Sequence, residues 1–446
     1  MLNVMWPLVK IKSKIILKLS RSPLHARLAN GAMWTFLGTL ITRGSGVVAM
    51  MLVARSIGKE GMGEYGMIQS TVGLFSSVAS MGMGVTATKF VAEYKLTDRL
   101  RAGSMLGLSA LTTWISGLAL MAILYFSATW FATDALAAPH LGKYLQISSI
   151  LLLLSAVNGA QTGALAGFED FKAIAKVSLI SAVITFPTTV LAALHWGLLG
   201  AIYALLISQF LNCVLSHLAV RLAAKSSNVP LWSPILPGQW KVLWQFSLPG
   251  LLCTMVLGPA NWISCVLLVN TNNGYLEMGV YNATLNWINV VAFMPGIIAQ
   301  VLLPILASQG DKDHSSTKVM IIHATKANFI SVLPVVAILS LLSPLIMRAY
   351  GSEFSNGWPT LVATVMTAGV ISLQSAFVQY VTASGHMWRL LSTFVLFGAL
   401  TTIITIPLVQ WGSFGMASAR FLAALVTLVY TFWLTVKLMK DDSING

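Results

Sequence analysis

The sequence predicts an all-α integral membrane protein with about twelve transmembrane helices, arranged as two parallel bundles of six. Two properties of the whole chain carry this prediction, its composition and an internal repeat. Of the 446 residues, 57% are hydrophobic and only 9% are charged, whereas soluble globular proteins carry about 25% charged residues. This composition indicates that most of the chain is surrounded by lipid rather than water.

Apolar stretches long enough to cross a bilayer occur twelve times along the chain. About 20 mostly apolar residues suffice for each, because an α-helix rises about 1.5 Å per residue across a hydrocarbon core of about 30 Å. The stretches lie at residues 31–54, 65–88, 103–127, 144–166, 173–195, 198–221, 242–269, 279–307, 320–347, 357–383, 388–410 and 413–437.

Six of these stretches precede and six follow a segment rich in proline and serine, which predicts a linker. The sequence therefore divides into four regions. They are a basic cytoplasmic N-terminal segment (1–28), a first six-helix bundle (29–222), a cytoplasmic linker (223–240) and a second six-helix bundle (241–446).

Short motifs recur at a nearly constant offset, which indicates that the second bundle repeats the first. The pairs are Trp34-Thr35-Phe36 with Trp244-Gln245-Phe246, Gly63-Glu64-Tyr65 with Gly279-Val280-Tyr281, and Trp196-Gly197 and Gly200 with Trp411-Gly412 and Gly415. Their offsets are 210, 216 and 215 residues, and unrelated coincidences would scatter more widely. Two similar halves around a membrane-embedded cleft are typical of transporters.

The distribution of lysine and arginine predicts the orientation in the membrane. If the N-terminus is cytoplasmic, nineteen of these residues fall in cytoplasmic segments, and only Arg55, Lys59, Lys143 and Arg348 fall on the opposite side. This asymmetry predicts that both termini are cytoplasmic. It also accounts for most of the net charge of +14, so we expect no nucleic-acid partner, and we expect membrane lipids to surround the chain.

Four basic residues are predicted inside helices, whereas all 13 acidic residues are predicted in loops or at helix ends. Arg43 and Arg420 lie deepest, and Lys176 and Lys326 lie near the inner helix ends. A charge at mid-depth costs at least about 2.5–3.5 kcal/mol, so it normally faces a cavity or a partner.

With no buried carboxylate to pair with, an anionic ligand is the natural partner for a buried arginine, whose planar fork binds two phosphate oxygens. For Arg43 the alternative is a hydrogen-bonded lock between helix ends, and for Arg420 both roles stay open. Lys176 and Lys326 are further candidates, although their long side chains can instead extend to the inner interface.

Amide side chains inside predicted helices form a second set of candidates for substrate binding. Asn282, Asn286 and Asn289 share one helix face by their spacing of four and three residues. Other helices carry Asn158, Gln161, Gln374 and Gln379. Amides both donate and accept hydrogen bonds, as sugar hydroxyls require, but polar residues also mediate plain helix packing.

Signatures of catalysis are nearly absent, so the sequence predicts a protein that is not an enzyme and needs no cofactor or metal. Asp311-Lys312-Asp313 resembles the metal-nucleotide pattern of glycosyltransferases but lies in a short loop, which favours a solvated turn. No glycine-rich loop followed by lysine is present, which excludes a built-in phosphate-binding loop.

Residues 54–65, which read ARSIGKEGMGEY, together with Gly82 and residues 86–94, which read TATKFVAEY, resemble the start of a Wzx-type flippase. This O-antigen and capsule repeat-unit family belongs to the multidrug/oligosaccharidyl-lipid/polysaccharide exporter superfamily. Met62 departs from the aromatic residue common at its position. The resemblance implies two six-helix bundles splayed as a V in the bacterial inner membrane.

The resemblance also implies a function. The expected substrate is an undecaprenyl-diphosphate-linked oligosaccharide moved from the cytoplasmic to the periplasmic leaflet by alternating access, with other polysaccharide assembly proteins as possible partners. Basic residues line the central cavity of related flippases, and Arg43 matches that role by position, as does Arg420 less closely. A cation-coupled drug or metabolite exporter of the same superfamily is the alternative. A membrane polysaccharide polymerase or glycosyltransferase is a third, disfavoured by short outer loops.

Overall fold

The computed structural model describes residues 23–79, 82–231, 233, 255–309 and 314–445, and in these residues the only regular structure is helical. The all-α prediction is confirmed. The first half contains α1 (Pro23–Ala79), α2 (Met83–Tyr94), α3 (Arg99–Trp130), α4 (Leu141–Ser148), α5 (Ile150–Gly167) and α6 (Phe171–Ser226). The second half contains α7 (Leu257–Val269), α8 (Gly274–Val291), α9 (Phe293–Gln309), α10 (His314–Leu341), α11 (Ser343–Tyr350), α12 (Trp358–Ala383), α13 (Met387–Leu408) and α14 (Gly412–Asn445).

By length and composition, six helical segments of the described chain can cross a membrane, or seven if the bent pair α8–α9 is one span. Many large apolar side chains on these helices are exposed, among them Phe126, Ile330 and Val429, as expected for surfaces that face lipid. The chain is therefore a multi-pass membrane protein, while the count of twelve spans and the four regions stay predictions.

Two of the long segments fold back on themselves at a glycine. Gly197 inside α6 has φ 57° and ψ −133°, and Gly412 at the start of α14 has φ 63° and ψ −141°. Glycine adopts this left-handed backbone without a steric penalty. A Cβ on Gly200 would lie 1.8 Å from the Ala192 oxygen, although eight residues of straight helix span about 12 Å. The chain therefore reverses direction at Gly197.

The repeat found in the sequence is also visible in how α1 and α8 pack. A Cβ on Gly63 would lie 1.9 Å from the Tyr275 oxygen, and a Cβ on Gly279 would lie 1.9 Å from the Lys59 oxygen. Gly279 follows Gly63 by 216 residues and Tyr275 follows Lys59 by 216 residues, so the contact is reciprocal. Further along both helices Asn282 packs over Gly66, again at an offset of 216. These two helices run parallel, as the predicted repeat requires.

Several contacts join the two halves at one end of the helices. This end is the predicted outer side. Arg55 Nε donates to the Ala349 oxygen at 2.8 Å. Asn270 donates to the Ala135 oxygen at 3.0 Å and Tyr275 to the Leu136 oxygen at 2.8 Å. Together with the glycine contact, these bonds close the cleft on this side.

Three predicted boundaries need correction. The stretch 320–347 was expected to be one helix, but α10 ends at Leu341 and α11 begins at Ser343, because Pro344 has no N–H to donate to the carbonyl of Ser340. The stretch 279–307 is bent by 46° between α8 and α9, where Pro295 removes one backbone donor. The stretch 198–221 was expected to end at residue 221, but α6 continues to Ser226.

Some predictions fall outside the described residues. They concern residues 1–22 of the basic segment, 234–240 of the linker, the repeat motif at Trp244 and the turn at 311–313.

Replacing Gly63 with alanine is expected to destabilise the closed outer side by about 1–3 kcal/mol, because the new methyl group overlaps the Tyr275 carbonyl. Thermal denaturation of the purified protein measures this. Gly73→Ala on the same helix is the matched control, since a Cβ there meets nothing within 4 Å. Equal melting temperatures for the two variants would contradict the reciprocal glycine contact.

Candidate functional site

A cavity of about 430 Å³ lies between the two halves. The first half lines it with small and polar residues of α1, including Gly66, Gln69 and Ser70. The second half contributes side chains from α7, α8 and α14, including Asn261 and Arg420. Arg420 follows Gly412 by eight residues, which places it about 12 Å from the outer end of α14.

Arg420 is held by two neutral groups of the second half. Its Nη1 donates to Asn261 Oδ1 at 2.8 Å and to the Tyr281 hydroxyl at 2.7 Å. These bonds connect α14 to α7 and α8. The buried Nε has no hydrogen-bond partner among the described residues. The guanidinium is therefore fixed at one nitrogen, and no carboxylate within the described part of the chain forms an ion pair with it.

The first half completes the polar lining of the cavity. Asn261 Nδ2 lies 3.5 Å from Ser70 Oγ, and Asn282 Nδ2 donates to the Met62 oxygen at 3.1 Å. Asn282 is buried at the seam between α1 and α8 while also lining the cavity. The arrangement gives a cation and several amide or hydroxyl groups around one partly open cavity between the halves.

Arg43 lies at the bend between α8 and α9. It donates to the Asn289 backbone oxygen through Nη1, and its Cζ lies 5.4 Å from the centre of the Phe293 ring. A carbonyl in the last turn of a helix has no intrahelical donor, so the guanidinium supplies one. The side chain remains partly exposed. Arg43 thus makes the bond expected of a lock between helix ends and keeps an accessible surface.

Helix α8 connects the two arginines. Tyr281, which binds Arg420, and Asn289, whose carbonyl binds Arg43, are eight residues apart, or about 12 Å along the axis. Between them lie Asn282 and Asn286. The side chains of Asn286 and Asn289 make no hydrogen bond to another described residue, and Asn289 is exposed. The asparagine face predicted from the sequence therefore joins two positively charged positions.

The remaining predicted amides lie inside one half or the other. Asn158 Oδ1 accepts from Ser216 Oγ at 3.2 Å in the first half. Gln161 Oε1 is buried without a partner in the described region. Gln374 is buried in the second half and donates to Thr431 Oγ1 at 2.8 Å. None of these three residues lines the cavity beside Arg420.

Gln374 and Gln379 instead line a smaller cavity of about 230 Å³ in the second half. Lys176 and Lys326 are exposed, and neither forms a hydrogen bond or ion pair within the described residues. Their exposure fits side chains that extend to the inner interface. The structure therefore brings Arg420 and Asn282 together at one cavity. Arg43, which belongs to α1, contacts the far end of α8, and the other candidates do not line this cavity.

The two hydrogen-bond partners of Arg420 escaped the sequence analysis. Asn261 is a polar side chain within the apolar helix Leu257–Val269, and that isolation was the available signal. Tyr281 stood out only as a repeat position. Its role as the partner of Arg420 depends on how α8 and α14 pack, which no linear spacing reveals.

The family of this chain follows from comparison with known sequences. The model of a family described as polysaccharide biosynthesis proteins matches residues 28–310, which is well over half of the chain. The chain belongs to this polysaccharide biosynthesis family. The resemblance to repeat-unit flippases is thereby confirmed at the level of the family.

A curated relative points the same way. The EPS I polysaccharide export inner membrane protein EpsE of Ralstonia nicotianae is 23% identical over 285 residues. Those residues are 60% of this chain and 61% of the relative, so the match spans less than two thirds of that protein.

Solved structures share the fold of this polysaccharide biosynthesis family member. An inward-facing multidrug resistance MATE family transporter of the MOP superfamily has a TM-score of 0.73 at 14% identity, covering 92% of this chain and 99% of that one. The lipid II flippase MurJ, in an inward closed conformation, has a TM-score of 0.71 at 15% identity, covering 93% and 90%. At such low identity these likenesses establish the fold alone.

Tyr281→Phe is expected to lower the free energy of unfolding by about 1–3 kcal/mol, because Nη1 of the buried Arg420 loses the Tyr281 hydroxyl as a hydrogen-bond acceptor. Thermal unfolding in nanodiscs measures the change. Tyr125→Phe serves as the control, since Tyr125 is exposed and its hydroxyl makes no hydrogen bond to a described residue. A Tyr281→Phe protein that melts like this control would remove the assigned bond.

Proposed function

We propose that this protein is a flippase that moves undecaprenyl-diphosphate-linked oligosaccharide units from the cytoplasmic to the periplasmic leaflet of the inner membrane by alternating access. The lipid tail stays in the bilayer while the diphosphate and the sugars pass through the cleft between the halves. Membership of the polysaccharide biosynthesis family supports the substrate class, and the shared MOP-superfamily fold supports transport rather than catalysis.

The observation that carries this proposal is Arg420, a buried cation at a partly open cavity between the halves with only neutral partners among the described residues. Charge in a low-dielectric space is costly unless an opposite charge compensates it. A diphosphate supplies that charge, and its oxygens match the remaining N–H groups of the guanidinium. Asn261 and Tyr281 position the guanidinium by occupying Nη1.

The polar face of α8 supports passage of the attached sugars. Asn286 and Asn289 present amides that have no hydrogen-bond partner among the described residues, and Arg43 lies at the far end of this face. Hydroxyl groups of an oligosaccharide can exchange hydrogen bonds with these amides in either direction. The face thus offers weak, repeated contacts, which suit a substrate that has to be released.

A cation-coupled exporter of drugs or metabolites would need a carboxylate in the cavity. The carboxylates nearest the seam lie at the outer helix ends and have partners: Glu64 contacts His140, and Glu277 accepts from Ser413 Oγ at 2.6 Å. The positive sign of the cavity therefore favours an anionic substrate over a cationic one.

Arg420→Ala is expected to reduce translocation about ten- to a hundred-fold, because a charged hydrogen bond contributes about 1.5–3 kcal/mol. The measurement is leaflet-selective labelling of the lipid-linked repeat unit in cells that lack their own flippase. Arg420→Lys keeps the charge without the planar fork and should retain intermediate activity.

Lys326→Ala, which removes an exposed cation that pairs with no other described residue, is the matched control and should translocate normally. Each variant is compared at equal membrane abundance. Normal translocation by Arg420→Ala would refute the assigned role of Arg420. Resistance to cationic drugs conferred by the wild-type chain, without flipping, would favour the exporter alternative.

A further inference from the structure

A second cavity of about 570 Å³ opens at the outer end of the second half. It lies between the turn that joins α7 to α8 and the turn that joins α13 to α14. Its lining includes Thr271, Asn272, Asn273, Glu277, Gln410 and Trp411. None of these residues lines the cavity beside Arg420, so the two sites are distinct.

The lining has the chemistry of a saccharide site. Asn272, Asn273 and Gln410 are exposed amides, each with donor and acceptor atoms. The Trp411 side chain is 64% exposed, and its indole offers a flat apolar face with an N–H donor at its edge. An aromatic face beside several amides matches a sugar ring, which has an apolar face and a rim of hydroxyls.

The cavity is built on fixed turns rather than on loose side chains. Glu277 accepts from the backbone nitrogen of Ser413 at 2.8 Å and from its hydroxyl at 2.6 Å, tying the two turns together. Thr271 Oγ1 donates to the Leu268 oxygen at 2.7 Å. A site whose geometry is set before binding loses less entropy when a ligand arrives.

The same carboxylate links this cavity to the seam between the halves. Glu277 lies 3.8 Å from Nζ of Lys59, which belongs to the first half. The cavity therefore borders the line along which the halves meet on the outer side. A sugar that leaves the central cleft at this end would pass next to it.

The first half provides an internal comparison for Trp411. Its repeat equivalent, Trp196, is 66% exposed and precedes a glycine of the same backbone conformation. At the repeat offsets, Ser56 and Ile57 stand in place of Asn272 and Asn273, and His195 stands in place of Gln410. Ser56 Oγ is bound to the Ala193 oxygen at 2.7 Å.

The two halves therefore share the tryptophan and the turn but differ in the amides. A tryptophan at a membrane–water interface needs no ligand to explain it, and Trp196 fits that explanation. Gln410 is not required by the Gly412 turn, because the first half forms the same turn with His195 at that position. Asn273 has φ 59°, a left-handed conformation that asparagine tolerates better than most residues, so the turn between α7 and α8 also accounts for its identity.

We infer that the cavity around Trp411 is a carbohydrate-binding site that receives the sugar portion of the oligosaccharide as it emerges on the outer side. The source of the sugar rests on the proposed flippase function. The binding chemistry rests on the cavity alone. Trp411 stacks against a sugar ring while Asn272, Asn273 and Gln410 bind its hydroxyls.

The test uses the full chain in nanodiscs and a lipid-free oligosaccharide released by mild acid from the surface polysaccharide of the strain that carries this protein. Saturation-transfer NMR reports contact between the two. Trp411→Ala is expected to weaken binding at least ten-fold, and Gln410→Ala is expected to weaken it to a smaller extent. Trp196→Ala is the matched control and should bind like wild type. Equal binding by Trp411→Ala and Trp196→Ala, or no binding by wild type, overturns the site.

Arg420→Ala separates this inference from the proposed function. Oligosaccharide binding that survives Arg420→Ala supports a site at Trp411, whereas its loss places the saccharide in the central cavity and overturns the inference. If wild type translocates in an Arg420-dependent manner but binds no free oligosaccharide, only the outer site fails. If wild type binds through Trp411 but translocates nothing, the outer site stands and the flippase function fails.

Discussion

The close approach of α1 and α8 is the constraint on which the rest of the molecule depends. Gly63 and Gly279 allow the two backbones to meet at a distance that a single methyl group would prevent. This contact aligns the halves in register and closes the outer side. It also places Asn282, which lines the cavity beside Arg420, against the Met62 carbonyl of the first half.

Electrostatics then decide what this cavity can accept. Removing a guanidinium from water is unfavourable, and hydrogen bonds to Asn261 and Tyr281 offset this only in part because both partners are neutral. The protein thus holds uncompensated positive charge where the halves meet. Carboxylates at the outer ends, such as Glu277, instead serve to tie turns together. Among the described residues, the cavity therefore holds a positive charge without a carboxylate, whereas carboxylates at the helix ends pair with basic residues such as Lys59.

The helical class of the fold was predictable because lipid imposes one requirement on every span, a long apolar helix. The repeat was also visible in the sequence, since the Trp-Gly turns at Gly197 and Gly412 need the same left-handed glycine. The break before α11 was missed, because apolar composition continues through Ser343. Arg420 was found from its rarity in a helix, but its partners Asn261 and Tyr281 come from helices distant in the chain. Their meeting depends on three-dimensional packing that spacing along one helix does not encode.

The Gly197 and Gly412 turns have nearly the same backbone shape, but the charges near them differ. The first-half position that corresponds to Arg420 at the same offset is Leu205. The two halves thus form similar turns, but only the second half carries an arginine at this position. On the proposed mechanism, the anionic headgroup is fastened to the second half and moves with it, while the first half acts as the opposing wall. The substrate would then cross the membrane while bound to the second half, and in a single orientation.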